Sequence, residues 1–449
     1  MTAETVAQLC SGRVVGQDAN RPAELVADSR TIEPGRAFVA VRGGHGFVRE
    51  AVDAGAAYVV VESAAAAEGA TAVVVDDTVR ALGELATWVR STLDVPVVAI
   101  TGSFGKTLTK DFVAAALSSR YRVHAAPGSY NTEVGLPLML LVTPEDTEVL
   151  VVELGARRPG EIAELCAMCR PTIGVLTGVG TTHLEIFGSR DAIARAKAEL
   201  VASLPADGLA AVPSDDDYLP VFTAGTSARV TTVGPGGETR YAAAGIDPYA
   251  RTSGTVALAS GTVDVVLPIP GRALMRNAAM AMRVAVELGV EPRAAAHAIA
   301  GSQTTGARME VVRVGGWTVV NDAYNANPNS VAAGLRTMSE LRPDAERWAV
   351  LGAMAELGPM SEDAHVRIGR LARSLGYEGV IVVGDDAGGI SRGAGAVAHP
   401  APTMEEAADL VARLVPKGSV VLVKGSLVTG LRLFPDALRA QTDRAAEEV

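Results

Sequence analysis

Short apolar runs rich in Val, Ile and Ala alternate with stretches of helical period along almost the whole chain, and three regions separate on that pattern. In residues 1–94, Val26–Ile32 and Ala37–Val41 flank Pro34-Gly35 and predict strand, turn and strand. Phe47–Ala54 predicts a helix stopped by Gly55, Tyr58–Val61 and Ala72–Val75 predict strands, and Thr78–Leu93 predicts a connecting helix. In residues 95–308, Val95–Ile100, Leu150–Leu154, Ile173–Thr177 and Leu209–Val212 predict buried strands with helices between them. Thr231–Val266 changes to short alternating runs with Gly-rich turns, a small antiparallel patch, and Arg276–Leu288 returns to helix. In residues 309–449, Thr318–Asp322, Trp348–Leu351, Val380–Val383 and Ser419–Val423 each precede a loop and a helical stretch. The expectation is an α/β chain of three domains. They are a small N-terminal α/β domain (1–94), a central mostly parallel sheet (95–308) and a C-terminal Rossmann-like α/β domain (309–449).

The second region opens on Thr101-Gly-Ser-Phe-Gly-Lys-Thr107, directly behind the strand ending at Ile100 and ahead of the helical run Leu108–Leu117. Strand, glycine loop and helix in that order form a phosphate cradle, because loop N–H groups and a helix N-terminus converge on one anion. In such a P-loop Gly102, Ser103 and Gly105 shape the cradle, Lys106 reaches the terminal phosphates and Thr107 ligates Mg²⁺. The general motif has a further glycine where Ile100 stands, so this is a shortened form. An ordinary Gly-containing strand-to-helix turn is the competing reading, and the flanking elements favour the nucleotide site.

A length of 449 residues exceeds one comfortable core, and 48% hydrophobic with 20% charged residues describes a soluble globular protein. A net charge of −11 without any Lys/Arg block argues against nucleic acid and anionic membranes as partners. No apolar run reaches membrane-spanning length, and Met1–Leu9 lacks the basic start of a signal peptide. Three cysteines cannot build a disulfide framework, which fits a reducing cytoplasm. Cys166 and Cys169 have metal-like spacing without a second pair, so two half-buried helical thiols are expected and no zinc.

Other candidate groups stand at predicted strand ends. Glu153 closes Leu150–Leu154, where a carboxylate is either a solvated strand end or a second Mg²⁺ ligand, and position alone leaves both open. His183 follows a strand too, but a single loop histidine is more often structural than a ligand. Lys197 lies inside the helical run Asp191–Leu200, and spacing predicts a solvated surface lysine there. Asn321–Asn329 reads as a capped turn or as polar groups facing a cleft. Lys424-Gly-Ser426 ends its strand in the same fashion, and Arg308 sits at the junction of the second and third regions, within reach of a phosphate.

Taken together, these segments resemble the Mur ligases, in the branch that adds D-alanyl-D-alanine to a UDP-N-acetylmuramoyl-tripeptide. The resemblance is carried by Asp28-Ser-Arg-Thr-Ile-Glu-Pro-Gly35, Gly102–Thr107, Asn131-Thr-Glu-Val-Gly-Leu-Pro137, Val152–Gly155, His183-Leu-Glu-Ile-Phe-Gly188 and Ala194–Glu199. It continues through Asp322-Ala-Tyr-Asn-Ala-Asn-Pro328, Leu351–Gly358 and Val423-Lys-Gly-Ser426. It implies an ATP- and Mg²⁺-dependent amide ligase acting on small molecules through an acyl phosphate, as a cytoplasmic monomer. Lys106 and the loop amides would hold the β/γ-phosphates, Thr107 and Glu153 one Mg²⁺, and His183 a second. Lys197 would be a carbamate that binds metal, which reverses the reading from spacing. Ser29 and Asn131 would contact substrate, and Asn277, Arg308, Asp322 and Asn325 nucleotide. The pattern departs from the family at the short Arg42–Phe47 loop, at Gly271-Arg-Ala-Leu274, at Asn321 and at Leu427. The short loop motivates one alternative, the same chemistry on another carboxylate and amine in a secondary-metabolite pathway. A P-loop switch that hydrolyses nucleotide without acid or amine is a third reading, and it leaves the His183 and Lys197 segments unused.

Overall fold

The computed structural model describes residues 1–17, 20–67, 69–126, 128–180, 184–303, 306–341 and 344–447, with side chains through 444. Four sheets organise it. The first has the order β1-β5-β4-β3-β2 and comprises β1 (Arg13–Val15), β2 (Leu25–Val26), β3 (Ala37–Val39), β4 (Val59–Val61) and β5 (Ala72–Val74). The second has the order β11-β10-β9-β6-β8-β7 and comprises β6 (Val97–Thr101), β7 (Val123–Ala125), β8 (Val149–Glu153), β9 (Ile173–Leu176), β10 (Leu209–Pro213) and β11 (Arg229–Val233). Every pairing in it is parallel, and all residues of β6, β8, β9 and β10 are buried, as helices on both faces require.

The third sheet is an antiparallel meander of β12 (Arg240–Ile246), β13 (Thr252–Leu258) and β14 (Gly261–Leu267). Buried and half-buried positions alternate along β13, so one face packs inward, where Val256 and Leu258 join the core with Met275 and Ile299. The fourth sheet has the order β15-β16-β20-β17-β18-β19. It is built from β15 (Glu310–Val314), β16 (Trp317–Asn321), β17 (Arg347–Gly352), β18 (Gly379–Val383), β19 (Ala398–Ala401) and β20 (Val420–Lys424). Only its edge strand β15 runs antiparallel.

Strand β6 pairs with β8 on one side and β9 on the other, so the chain reverses direction across the sheet there. Ligand crevices of open parallel sheets form outside the carboxyl ends of strands at such a switch point. Both six-stranded sheets aim strand ends into one cleft.

Several boundaries differ from the sequence expectation for local reasons. The run Val26–Ile32 is not one strand: β2 stops at Val26, and Asp28 caps a 3₁₀ turn over Ser29–Thr31 by accepting from Arg30 N–H. The helix after the glycine loop starts at Lys106 rather than Leu108, with Gly105 as its left-handed N-cap. Residues Arg229–Val233 belong to the parallel sheet, and the antiparallel patch begins only at Arg240. The thiols of Cys166 and Cys169 are buried rather than half-buried. The edge strands β7, β15 and β19 are short or partly exposed and carry weak patterns.

Candidate active site

The glycine loop folds as it does because its neighbours leave no room for side chains. Gly102 has φ +146°, and a Cβ there would lie 2.0 Å from Thr177 Oγ1. Thr177 Oγ1 donates to Phe104 O at 2.5 Å, and Ser103 N–H donates to Gly178 O at 2.9 Å, which pins the loop to the end of β9. Gly105 has φ +71° and lies against Asn277, whose Nδ2 donates to Gly105 O at 3.2 Å and to Thr109 Oγ1 at 2.8 Å. Asn277 therefore braces the cradle from the helix Met275–Glu287.

Thr107 sits in the first turn of the helix Lys106–Ser118 and faces the end of β8. Its Oγ1 donates to Glu153 Oε2 at 2.6 Å and lies 3.1 Å from Ser129 Oγ. Asn131 Nδ2 donates to the other oxygen of Glu153 at 2.7 Å. Glu153 is only 2% exposed, so the strand-end carboxylate is not solvated. Hydroxyls and a carboxylate meeting at the foot of a phosphate cradle are hard oxygen donors, the kind Mg²⁺ takes. Among the described residues no group of three or more His, Cys, Asp or Glu gathers as a metal site.

Three basic side chains surround this point. Lys106 Nζ donates to Gly102 O at 3.0 Å; burial pushes its pKa down, Glu153 opposes that and Arg308 adds to it. Lys197, on the helix Arg190–Ala202, is 3% exposed and lines the cleft, so the solvated reading from spacing is wrong. Burial, with the Lys106 ammonium adding, pushes its pKa down to about 7. Its ammonium makes no hydrogen bond among the described residues. Arg308 Nη2 donates to Ser129 Oγ at 2.9 Å, and its guanidinium stacks 3.8 Å from the centre of the Tyr324 ring.

From the opposite wall, Asp322 follows the last residue of β16. Lys424, the last residue of β20, donates to Asp322 Oδ2 at 2.5 Å, to Asp322 O at 3.0 Å and to Asn325 O at 3.0 Å. Asp322 Oδ1 accepts from Met309 N–H at 3.2 Å. Asn325 Oδ1 accepts from Ala326 N–H at 2.8 Å and shapes the turn into the helix Pro328–Glu340.

These groups line one cleft of about 1540 Å³. It gathers Gly102, Ser103, Gly105, Lys106, Thr107, Asn131, Glu153, Lys197, Asn277, Arg308, Asp322 and Asn325. Ser29 is not among its lining residues, and His183 lies outside the described residues. Nine basic and seven acidic side chains line it in a chain of net charge −11, which favours an anionic ligand. Ser129 escapes sequence reasoning, whereas Tyr324 and Lys424 stand in segments the sequence singles out, but their contacts with Arg308 and Asp322 do not show there. Lys197 was findable, because Ile193, Lys197, Leu200 and Val201 share one buried stripe of that helix.

Comparison with known proteins places this geometry. The Mur ligase middle domain matches residues 100–285, and the Mur ligase, glutamate ligase domain matches residues 307–427. The UDP-N-acetylmuramoyl-tripeptide--D-alanyl-D-alanine ligase of Mycobacterium bovis is 36% identical, with 98% of each chain covered. The chain belongs to the Mur ligase family, in its MurF branch. Crystal structure II of MurF from Acinetobacter baumannii superposes with a TM-score of 0.88 at 29% identity over 98% of each chain. MurF ligase from Thermotoga maritima in complex with ADP gives 0.80 at 27% identity, covering 94% of this chain and 98% of that one. This Mur ligase is thus an α/β enzyme of several sheets. Among its described residues no helix is long and apolar enough to cross a membrane.

Proposed function

We propose that this Mur ligase joins D-alanyl-D-alanine to the terminal carboxylate of UDP-N-acetylmuramoyl-tripeptide, a step of peptidoglycan precursor synthesis. The enzyme is an ATP-dependent, ADP-forming ligase. The observation that carries the substrate assignment is the 36% identity over 98% of each chain to a ligase named for those substrates. The 2.6 Å bond from Thr107 to buried Glu153, at the foot of a cradle that Arg308 reaches, supports the ATP half of the reading.

A carboxylate is a poor electrophile, so its oxygen takes the γ-phosphoryl group of ATP and ADP leaves. The amine then attacks the acyl phosphate, the tetrahedral oxyanion collapses, phosphate departs and the amine loses a proton. The loop amides other than that of Ser103, which is spent on Gly178 O, hold the β/γ-phosphates together with Lys106 while charge moves between them. Thr107, Ser129 and Glu153 would hold Mg²⁺, whose charge would offset that of the transferring group. Lys197, with a pKa of about 7, is about half uncharged amine at neutral pH and increasingly so above it, the form that combines with CO₂ to give a carbamate. Arg308, Asp322 and Asn325 close on the nucleotide from the other wall. Closure excludes water, which would hydrolyse an acyl phosphate.

In this reading residues 1–94 receive the UDP end of the acceptor, 95–308 hold ATP, and 309–449 close on the nucleotide through Asp322 and Asn325, in a cytoplasmic monomer. The test is ADP release with UDP-N-acetylmuramoyl-tripeptide, D-alanyl-D-alanine, or both. Turnover that needs both supports the assignment. Silence with the pair, but turnover with another acid and amine, assigns the chemistry to other substrates. ADP release that needs neither contradicts the ligase mechanism itself.

A further inference from the structure

Lys110 lies one turn beyond Lys106 on the same helix, is 2% exposed, and is not a lining residue of the cleft. Its Nζ donates to Gly128 O at 3.0 Å and to Ala126 O, and it pairs with Asp111 Oδ1 at 3.1 Å. The ammonium's three N–H groups therefore have three acceptors, two of them carbonyls of one loop. That loop continues directly into Ser129, which touches Thr107 and Arg308, and into Asn131, which holds Glu153.

A buried ammonium is costly to desolvate, and an apolar side chain of similar volume fills such a place at least as well. The charge brings directed bonds to chosen carbonyls, which an apolar side chain cannot make. We infer that Lys110 is a positioning residue for the magnesium–nucleotide site: it fixes the loop carbonyls so that Ser129 and Asn131 meet Thr107 and Glu153 in one geometry. The inference rests on the nucleotide reading above and is independent of which acid and amine are joined.

The experiment compares wild type with Lys110→Met, Lys110→Gln, Ser129→Ala/Asn131→Ala, and the latter combined with Lys110→Met. Thermal midpoints establish folding. ADP affinity is measured by calorimetry in EDTA and in excess Mg²⁺, and kcat and KM for ATP by ADP release. Lys110→Met is expected to bind ADP in EDTA as wild type does, and to lose about 10- to 100-fold of the Mg²⁺-dependent gain. Its kcat is expected to fall about 100-fold, as for a displaced reacting group. Ser129→Ala/Asn131→Ala is expected to show the same loss, and adding Lys110→Met to it to change little, because both act through one geometry. Lys110→Gln keeps two N–H donors and is expected to fall between Met and wild type. If Lys110→Met does not fold, Lys110→Gln is read in its place. A folded Lys110 variant that keeps the Mg²⁺ gain and kcat, or effects that multiply in the combined variant, would overturn the inference. Wild type without any Mg²⁺ gain overturns it together with the metal reading. Wild type with the gain but no turnover on the muramyl substrates overturns only the substrate assignment.

Discussion

Two buried lysines face each other across the cleft, and they are held in opposite ways. Lys424 closes β20 with three acceptors, two from Asp322 and one from Asn325. Lys197 is as deeply buried at the edge of the other sheet, has no hydrogen bond among the described residues, and has its pKa pushed down to about 7. Burial alone therefore does not mark a reactive lysine. A satisfied ammonium is a clamp that shapes backbone, whereas an unsatisfied one gives up its proton and becomes an amine.

The sharpest way to break the comparison is to make the same substitution in both. Lys197→Met is expected to lower kcat about 1,000-fold, the scale of losing a principal charged group from a reacting centre. It is nevertheless expected to stabilise the fold. Unfolded, Lys197 titrates near 10.5, and folded near 7. Between those values the unfolded chain binds more protons, so wild-type stability rises with pH, by up to about 1.4 kcal/mol per unit. The variant's stability advantage is thus largest below pH 7 and shrinks towards pH 10.5. Denaturant melts at several pH values check the sign.

Lys424→Met is expected to do the reverse, destabilising by about 3–5 kcal/mol because Asp322 loses its buried partner. Urea unfolding at pH 7 measures it, and a stability gain there would remove the distinction between the two lysines. Arg308→Ala comes next, with kcat/KM for ATP reduced about tenfold, equivalent to about 1.4 kcal/mol. Its stacking on Tyr324 and its bond to Ser129 are both lost, so Ser129→Ala should account for part of that decrease. The smallest effect belongs to the exposed pair of Arg42 with Glu133, where Arg42→Ala is expected to change stability by less than about 1 kcal/mol.

The same contrast explains what the sequence discloses. The parallel sheets and the glycine loop were legible because buried strands such as Val97–Thr101 must be apolar throughout, and a loop crowded by Thr177 and Asn277 must carry Gly102 and Gly105. Glu153 was legible in position but not in burial, since a strand-end carboxylate looks alike in water and under Thr107. Lys197 was misread from spacing because a lysine on a helix is normally wet, although its place between Ile193 and Leu200 carried the opposite message. Ser129 and Lys110 were silent, as their importance comes from contacts between a helix and a loop that no local period encodes. The strand predicted over Val26–Ile32 failed because the side chain of Asp28 competes for backbone N–H groups.

The central claim is that the acceptor's carboxylate is phosphorylated within this cleft. It is tested most directly by labelling both oxygens of the terminal carboxylate of UDP-N-acetylmuramoyl-tripeptide with ¹⁸O and analysing the phosphate released in the presence of ATP and D-alanyl-D-alanine. The account predicts one ¹⁸O in each phosphate and none formed by Lys106→Ala. Product formed with unlabelled phosphate would contradict it.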